Sequence, residues 1–157
     1  MSAPLLEVQD LSVEYVTDTR TVRAVDRVTF SVEEGEVFGL AGESGCGKST
    51  IANAILRLLR DPAVIAGGSI RFRGTDVLQL SAEELRRFRW RQVAMVFQSA
   101  MNSLNPVMTI GDQIADIYMA HEGTPKKQAL RRAAGLLDLV GIPHDRLRSY
   151  PHQLSGG

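Results

Sequence analysis

Nine consecutive residues, Gly42-Glu43-Ser44-Gly45-Cys46-Gly47-Lys48-Ser49-Thr50, constrain this chain more than any other segment. The apolar stretch Glu36-Val37-Phe38-Gly39-Leu40-Ala41 reads as a buried strand leading in, and the stretch from Thr50 to Leu59 reads as a helix leading out. Strand, glycine-rich turn and helix, in that order, turn a pattern into a mechanism. Without a Cβ at Gly42, Gly45 and Gly47, the backbone can curl and aim successive N–H groups at one point. The helix start adds unpaired N–H groups and the positive end of a dipole. Lys48 supplies a mobile charge for the β and γ phosphates of a triphosphate, and the Ser49 hydroxyl suits Mg²⁺.

Cys46 is the single cysteine, so no disulfide framework exists within the chain. Its backbone N–H is a phosphate donor. Its thiol, at a helix start, is a candidate for alkylation that bound nucleotide should block. No histidine lies near it in sequence, which argues against a catalytic thiol. Eighteen Lys plus Arg balance eighteen Asp plus Glu, so no global field favours nucleic acid or an anionic membrane. No apolar run reaches the length of a bilayer span, and the N-terminal residues lack the form of a secretory signal. One thiol and no signal point to the cytoplasm.

Leu5 to Val16 and Val22 to Val32 alternate apolar and polar positions and predict two strands joined by the turn Thr17-Asp18-Thr19-Arg20. Gly67-Gly68 predicts the entry to a short strand, Ser69 to Arg73, turned by Gly74-Thr75-Asp76. Ser81 and Glu84 form a capping box for a helix through about Arg91. Val93 to Phe97 has the length and composition of a buried strand ending at Gln98. Ser99 to Pro106 is loop chemistry, and Thr109 to about His121 predicts a helix. Thr124 reads as an N-cap with Pro125 at the first helical position of a helix to Val140, stopped by Gly141. A short helical piece near Asp145 to Ser149 follows. Arg86, Arg87, Arg89 and Arg91 read as a solvated helical face rather than a nucleic-acid site. His121, His144 and His152 share no metal-ligand spacing. A β-rich front and a helical back, without simple βαβ alternation, predict an α/β core with a helical insertion.

These residues resemble the nucleotide-binding subunit of ABC transporters across essentially the whole chain. Tyr15 lies upstream where that family places an aromatic ring against adenine, although it reads equally well as an ordinary strand aromatic. Gly42 to Thr50 is the phosphate loop, Gln98 matches the Q-loop glutamine, and Leu154-Ser155-Gly156-Gly157 matches the signature motif less its usual final glutamine. Phe97-Gln98-Ser99-Ala100-Met101-Asn102-Ser103-Leu104-Asn105-Pro106 looks like the Q-loop region of bacterial oligopeptide, dipeptide or nickel importers.

The resemblance implies ATP and Mg²⁺ as ligands. Glu43, Ser44, Cys46 and the loop glycines would contribute to the ATP site, Thr50 would bond the α phosphate, and Ser49 and Gln98 would join the Mg²⁺ shell. It implies that Leu154 to Gly157 cap the triphosphate held by a second ATPase subunit. Further partners are permease subunits, at the cytoplasmic face of the plasma (inner) membrane. The implied fold is an α/β P-loop NTPase core with an antiparallel β subdomain and a helical insertion, C-terminally truncated. Residues 1–98 would form the ATP-binding core and 99–157 the start of the helical subdomain.

No apolar strand ending in Asp-Glu, and no histidine after the signature, occurs in these residues. The chain is therefore expected to be the N-terminal portion of a longer subunit, poorly folded alone and inactive alone for lack of a general base. A soluble ABC-type ATPase outside transport, or a nucleotide-binding remnant that does not hydrolyse, are the alternative readings.

Overall fold

The computed structural model describes residues 3–97 and 103–154. It divides into two compact units, residues 1–93 and 94–157. The first unit is built on a four-stranded antiparallel sheet of order β2-β1-β3-β4, with β1 Leu6–Val16, β2 Thr21–Val32, β3 Ala63–Phe72 and β4 Thr75–Asp76. Two helices, α1 Lys48–Ile55 and α2 Ala82–Arg91, complete it, with a single 3-10 turn at Val77–Gln79.

Strict alternation along β1 would bury positions 8, 10 and 12. Val8, Leu11 and Val13 are the residues with no exposed surface. The pairing of β1 with β2 slips between Val8 and Leu11, where Asp10 takes a φ of 47°. This bulge inserts one residue and returns Leu11 to the inner face. Side chains satisfy the amides it frees: the Asp10 N–H donates to Thr29 Oγ1 at 2.9 Å, and the Arg27 N–H, itself at positive φ, donates to Ser12 Oγ at 3.1 Å. Two non-glycine residues at positive φ, Asp10 and Arg27, cost roughly 1–2 kcal/mol each. Burying both Leu11 and Val13 returns about 1.5–3 kcal/mol each, so burial outweighs the strain.

The same bulge explains β3. The sequence predicts its start after Gly67-Gly68, but the strand begins at Ala63 and runs through both glycines. Gly68 has a φ of 89°, and a Cβ there would lie 2.5 Å from the Gln9 carbonyl oxygen and 2.6 Å from that of Asp10. The glycine is where β1 presses closest, not a breaker. Phe72 pairs with Thr75 across the two-residue turn Arg73-Gly74, in which both φ angles are positive, as a type I′ hairpin requires.

Two further expectations change. The apolar segments 36–41 and 93–97 form no ladder. Val37 and Val96 are 98% and 90% exposed. Apolar content specifies what a strand would bury, but a strand also needs a partner strand for its hydrogen bonds, and neither segment has a ladder partner among the described residues, although Phe38 stacks on Phe30 of β2. Helix α1 starts at Lys48, at the end of the glycine-rich run, and ends four residues earlier than expected, at Ile55. Arg57 takes a φ of 50° there, and the Leu58 N–H bonds back to the Asn53 carbonyl at 2.8 Å, which closes the helix.

The second unit is a helical hairpin of α3 Ile110–Glu122 and α4 Lys126–Leu139, followed by 3-10 turns at His144–Arg148 and Pro151–Gln153. Its buried face is rich in small residues, Gly111, Ala115, Ala129 and Ala133, so backbones approach closely. A Cβ on Gly111 would lie 2.9 Å from the Leu147 carbonyl oxygen. Thr109 caps α3, accepting from the Asp112 N–H, and Asp112 reaches Lys126 at 2.8 Å. Bonds from Lys126 and Thr109 hold the Asp112 carboxyl below its usual range. Arg132 lies 3.9 Å over the Tyr118 ring. The N-cap of α4 is Pro125 rather than Thr124. The Pro125 carbonyl accepts from the N–H groups of Gln128 and Ala129, and no side-chain cap is made.

Two glycines should respond oppositely to alanine. Gly135, inside α4, has open space where a Cβ would lie, with nothing within 4 Å, so Gly135→Ala should stabilise by about 0.5–1 kcal/mol. Gly68→Ala should destabilise by about 1–3 kcal/mol. Urea midpoints at unchanged m-value read both.

Candidate functional site

The glycine-rich run folds as a turn that delivers the chain into α1. Gly47 is buried at the N-cap with a φ of 94°, and a Cβ there would lie 2.5 Å from the Ala24 carbonyl oxygen of β2. No side chain other than hydrogen satisfies both the dihedral and the space. The Gly47 carbonyl accepts from the Ile51 N–H at 2.9 Å, which starts the helix, and the Cys46 N–H donates to the Glu43 carbonyl at 3.3 Å, which tightens the turn. A Cβ on Gly42 would lie 2.6 Å from Cys46 Sγ, so the two sides of the turn touch.

Lys48 folds over this turn. Its Nζ donates to the carbonyls of Gly42 at 2.7 Å and Glu43 at 2.6 Å, and lies 3.4 Å from Cys46 Sγ. The ammonium group is therefore held over the loop by neutral acceptors. The start of α1 has no side-chain cap and no acidic residue in its first turn. Helices α2 and α3 differ: Ser81 with Glu84, and Thr109 with Asp112, occupy their own first-turn donors. Bonds from Ser81 hold the Glu84 carboxyl below its usual range. An uncapped helix start beside a lysine is a place where an anion lowers the energy. The Ser49 hydroxyl is exposed, and Thr50 is half-buried. Glu43, Ser44 and Gly45 are exposed around the turn beside the exposed Cys46, with Gly45 at a φ of 82°.

The residues present thus suit a polyphosphate: loop amides, one ammonium and one hydroxyl for a phosphate-bound Mg²⁺. The site is open. A recess of about 220 Å³ in the same unit is lined by Phe72, Val77, Leu80 and Phe88 and includes no loop residue. Main-chain donors at a helix start recognise phosphate without an enclosing cavity.

Tyr15 sits half-buried on β1, paired with Val22 on β2 and Ala63 on β3. Its neighbour strand meets the loop at Ala24, two residues beyond Val22. Leu154 is half-buried after the last 3-10 turn, its N–H donating to the Pro151 carbonyl at 3.1 Å. Gln98, Ser155, Gly156 and Gly157 lie outside the described residues. His144 Nδ1 lies 3.5 Å from Asp138, and His152 stacks on Tyr150.

One reading needs correction. Arg89 does not belong to a solvated face. It is half-buried and donates through Nε to the Leu56 carbonyl at 2.8 Å and through Nη2 to the Arg57 carbonyl. Burial, and then the nearby Arg57 charge, pull its pKa below the ordinary arginine value. Its role depends on where α1 ends, which no local pattern announces.

Comparisons with known proteins identify the family. Residues 25–157 match the family described as ABC transporter. The chain is 46% identical over 158 aligned residues to a putative peptide import ATP-binding protein of Brucella abortus, covering 99% of this chain and 48% of that protein. It is 48% identical to the oligopeptide transport ATP-binding protein of Mycobacterium tuberculosis, covering 99% of this chain and 26% of that one. It is 44% identical to the dipeptide transport ATP-binding protein of Haemophilus influenzae, covering 98% and 47%. The chain spans about half the length, or less, of these curated relatives. Among solved structures, the ATP-binding cassette MJ0796, in a dimeric post-hydrolysis state with ADP and Pi, superposes with a TM-score of 0.78. That match covers 96% of this chain and 63% of the other at 24% identity, and it speaks for the fold. With the family match running from residue 25 to 157 and across the glycine-rich turn at Gly47 and Lys48, this chain belongs to the ABC transporter family.

Proposed function

We propose that this chain is the phosphate-gripping portion of an ATPase subunit that drives uptake of peptides, or of nickel, across a bacterial cytoplasmic membrane. The observation that carries the reading is the junction at Gly47 and Lys48. There an uncapped helix start and an ammonium group share one turn. The names of the relatives, all import or transport ATP-binding proteins, support the peptide substrate.

In this reading the amides of the 42–50 turn hold the β and γ phosphates of ATP. Lys48 exchanges the Gly42 and Glu43 carbonyls for phosphate oxygens, which costs little because its present acceptors are neutral. Thr50 bonds the α phosphate, and Tyr15 offers its ring to adenine. The Ser49 hydroxyl and Gln98 would hold Mg²⁺, which would supply positive charge against the phosphates. Leu154, Ser155, Gly156 and Gly157 serve the triphosphate of a second ATPase subunit, so ATP joins the two. Loss of the γ-phosphate contacts then releases the pair, and permease subunits at the cytoplasmic face feel the change. These 157 residues supply binding and positioning.

Removing the ammonium tests the core of this reading. A charge-assisted bond is worth about 1.5–3 kcal/mol, so Lys48→Ala in the complete protein should weaken Mg²⁺–ATP binding by about tenfold to a hundredfold in titration calorimetry. Unchanged affinity would contradict the assignment. Saturating Mg²⁺–ATP should slow alkylation of the exposed Cys46 thiol by N-ethylmaleimide, followed by mass spectrometry. An unchanged rate would mean that nucleotide does not cover the turn. Co-purification with an integral membrane permease supports transport, and isolation only in a soluble complex would favour an ABC ATPase with another task.

A further inference from the structure

We infer that Arg57 and Arg89 are positioning residues for nucleotide binding: they clamp the C-terminal end of the helix whose N-terminal end grips phosphate. The inference rests on the functional reading above, and it assigns a task to two side chains whose hydrogen bonds all lie away from the phosphate loop.

Helix α1 has eight residues, which is short for a helix to be stable or firmly oriented on its own. Its start packs against β2 at Gly47 but has no side-chain cap, so its C-terminal end is the second place where the protein can fix its direction. That end is closed by main-chain bonds from the Arg57 N–H to the Ala54 carbonyl at 2.9 Å and from the Leu58 N–H to the Asn53 carbonyl at 2.8 Å. Arg57 occupies the positive-φ position that glycine normally fills in this closure, so its side chain is not there for the backbone's convenience.

The side chain instead reaches out of the helix. Its Nη1 donates to the Leu80 carbonyl at 2.7 Å and to the Val77 carbonyl at 3.3 Å, at the 3-10 turn before α2. Arg89 reaches the other way, from α2 to the helix end. It donates to the carbonyls of Leu56 and Arg57, at the end where a helix leaves its carbonyls without a partner of its own. Two guanidinium groups therefore make reciprocal bonds between α1 and the 77–91 segment. Their positive charge at a helix C-terminus also complements the dipole. Mutual proximity and partial burial oppose the arrangement, as the lowered pKa of Arg89 records.

The mechanical consequence follows from length. Eight residues span about 12 Å, so a tilt of about 10° about the midpoint displaces each end by about 1 Å. A shift of that size is enough to spoil a preorganised set of donors. A clamp at residues 56–57 thus sets where the amides at 47–50 point, although it lies at the opposite end of α1.

The test separates positioning from mere stability. Arg57→Gly keeps the positive φ without strain and removes only the side-chain bonds. Arg89→Lys keeps the charge and removes the fork. In the complete protein, each should raise the Kd for a non-hydrolysable ATP analogue with Mg²⁺ about three- to tenfold. The nucleotide-free melting temperature of Arg57→Gly should stay within a few degrees of the wild type. The double variant should lose less than the product of the two effects, because both act on one helix end. Wild-type affinity in both single variants overturns the inference, whether or not their melting temperatures fall. A wild-type protein that binds no nucleotide overturns the functional reading and this inference together, and that result is visible before any variant is made.

Discussion

Gly47 meets the Ala24 carbonyl at a distance that no Cβ could share, and the site is built outward from that contact. The contact places the start of α1 against β2, and β2 is placed by its pairing with β1. In the same turn, Lys48 bridges the carbonyls of Gly42 and Glu43. The dihedral cost of the turn falls on glycines, where it is small. The burial that holds the sheet together, at Val8, Leu11, Val13 and Ile70, lies elsewhere in the same unit. Binding geometry and stability are thus carried by different residues.

Neither α1 nor α4 has a side-chain cap, but the lysine that opens α4, Lys126, is paired with Asp112, whereas Lys48 meets only neutral acceptors. In α2 and α3 the first-turn donors are taken by the protein's own side chains, with Ser81 and Glu84 in one and Thr109 and Asp112 in the other. In α1 the donors are left open and the acceptors at the far end are taken, by Arg89. A helix whose positive end is unspent and whose negative end is tied internally is arranged to receive an anion. In the helical hairpin of the second unit, the small-residue face and the Arg132–Glu122 and Lys126–Asp112 pairs serve packing.

What can be read from residue order alone is what depends on neighbours in sequence. The glycine-rich turn into α1, the Ser81–Glu84 capping box and the Thr109 helix start are each settled within a few residues, and each is legible as local structure. Features fixed by distant partners are not. The bulge at Asp10 depends on the Thr29 hydroxyl across the sheet, and the extension of β3 to Ala63 depends on Gly68 lying under that bulge. The early end of α1 leaves carbonyls that Arg89 reaches from far away in sequence, with no shared motif to announce the pairing. Segments 36–41 and 93–97 have strand composition, but pairing is a property of two segments, and composition describes one. The Arg89 misreading has the same origin: a helix rich in arginine looks solvated until a carbonyl from elsewhere is placed beneath it.

Amide hydrogen exchange across residues 42–50, with and without a Mg²⁺-bound ATP analogue, tests the central claim most directly. Donors that are uncapped in the free protein and bonded to phosphate in the complex should slow markedly on addition of nucleotide, with the largest change at the start of α1. Exchange in this stretch that is the same in both conditions, while nucleotide is demonstrably bound, would place the phosphates elsewhere and contradict the account.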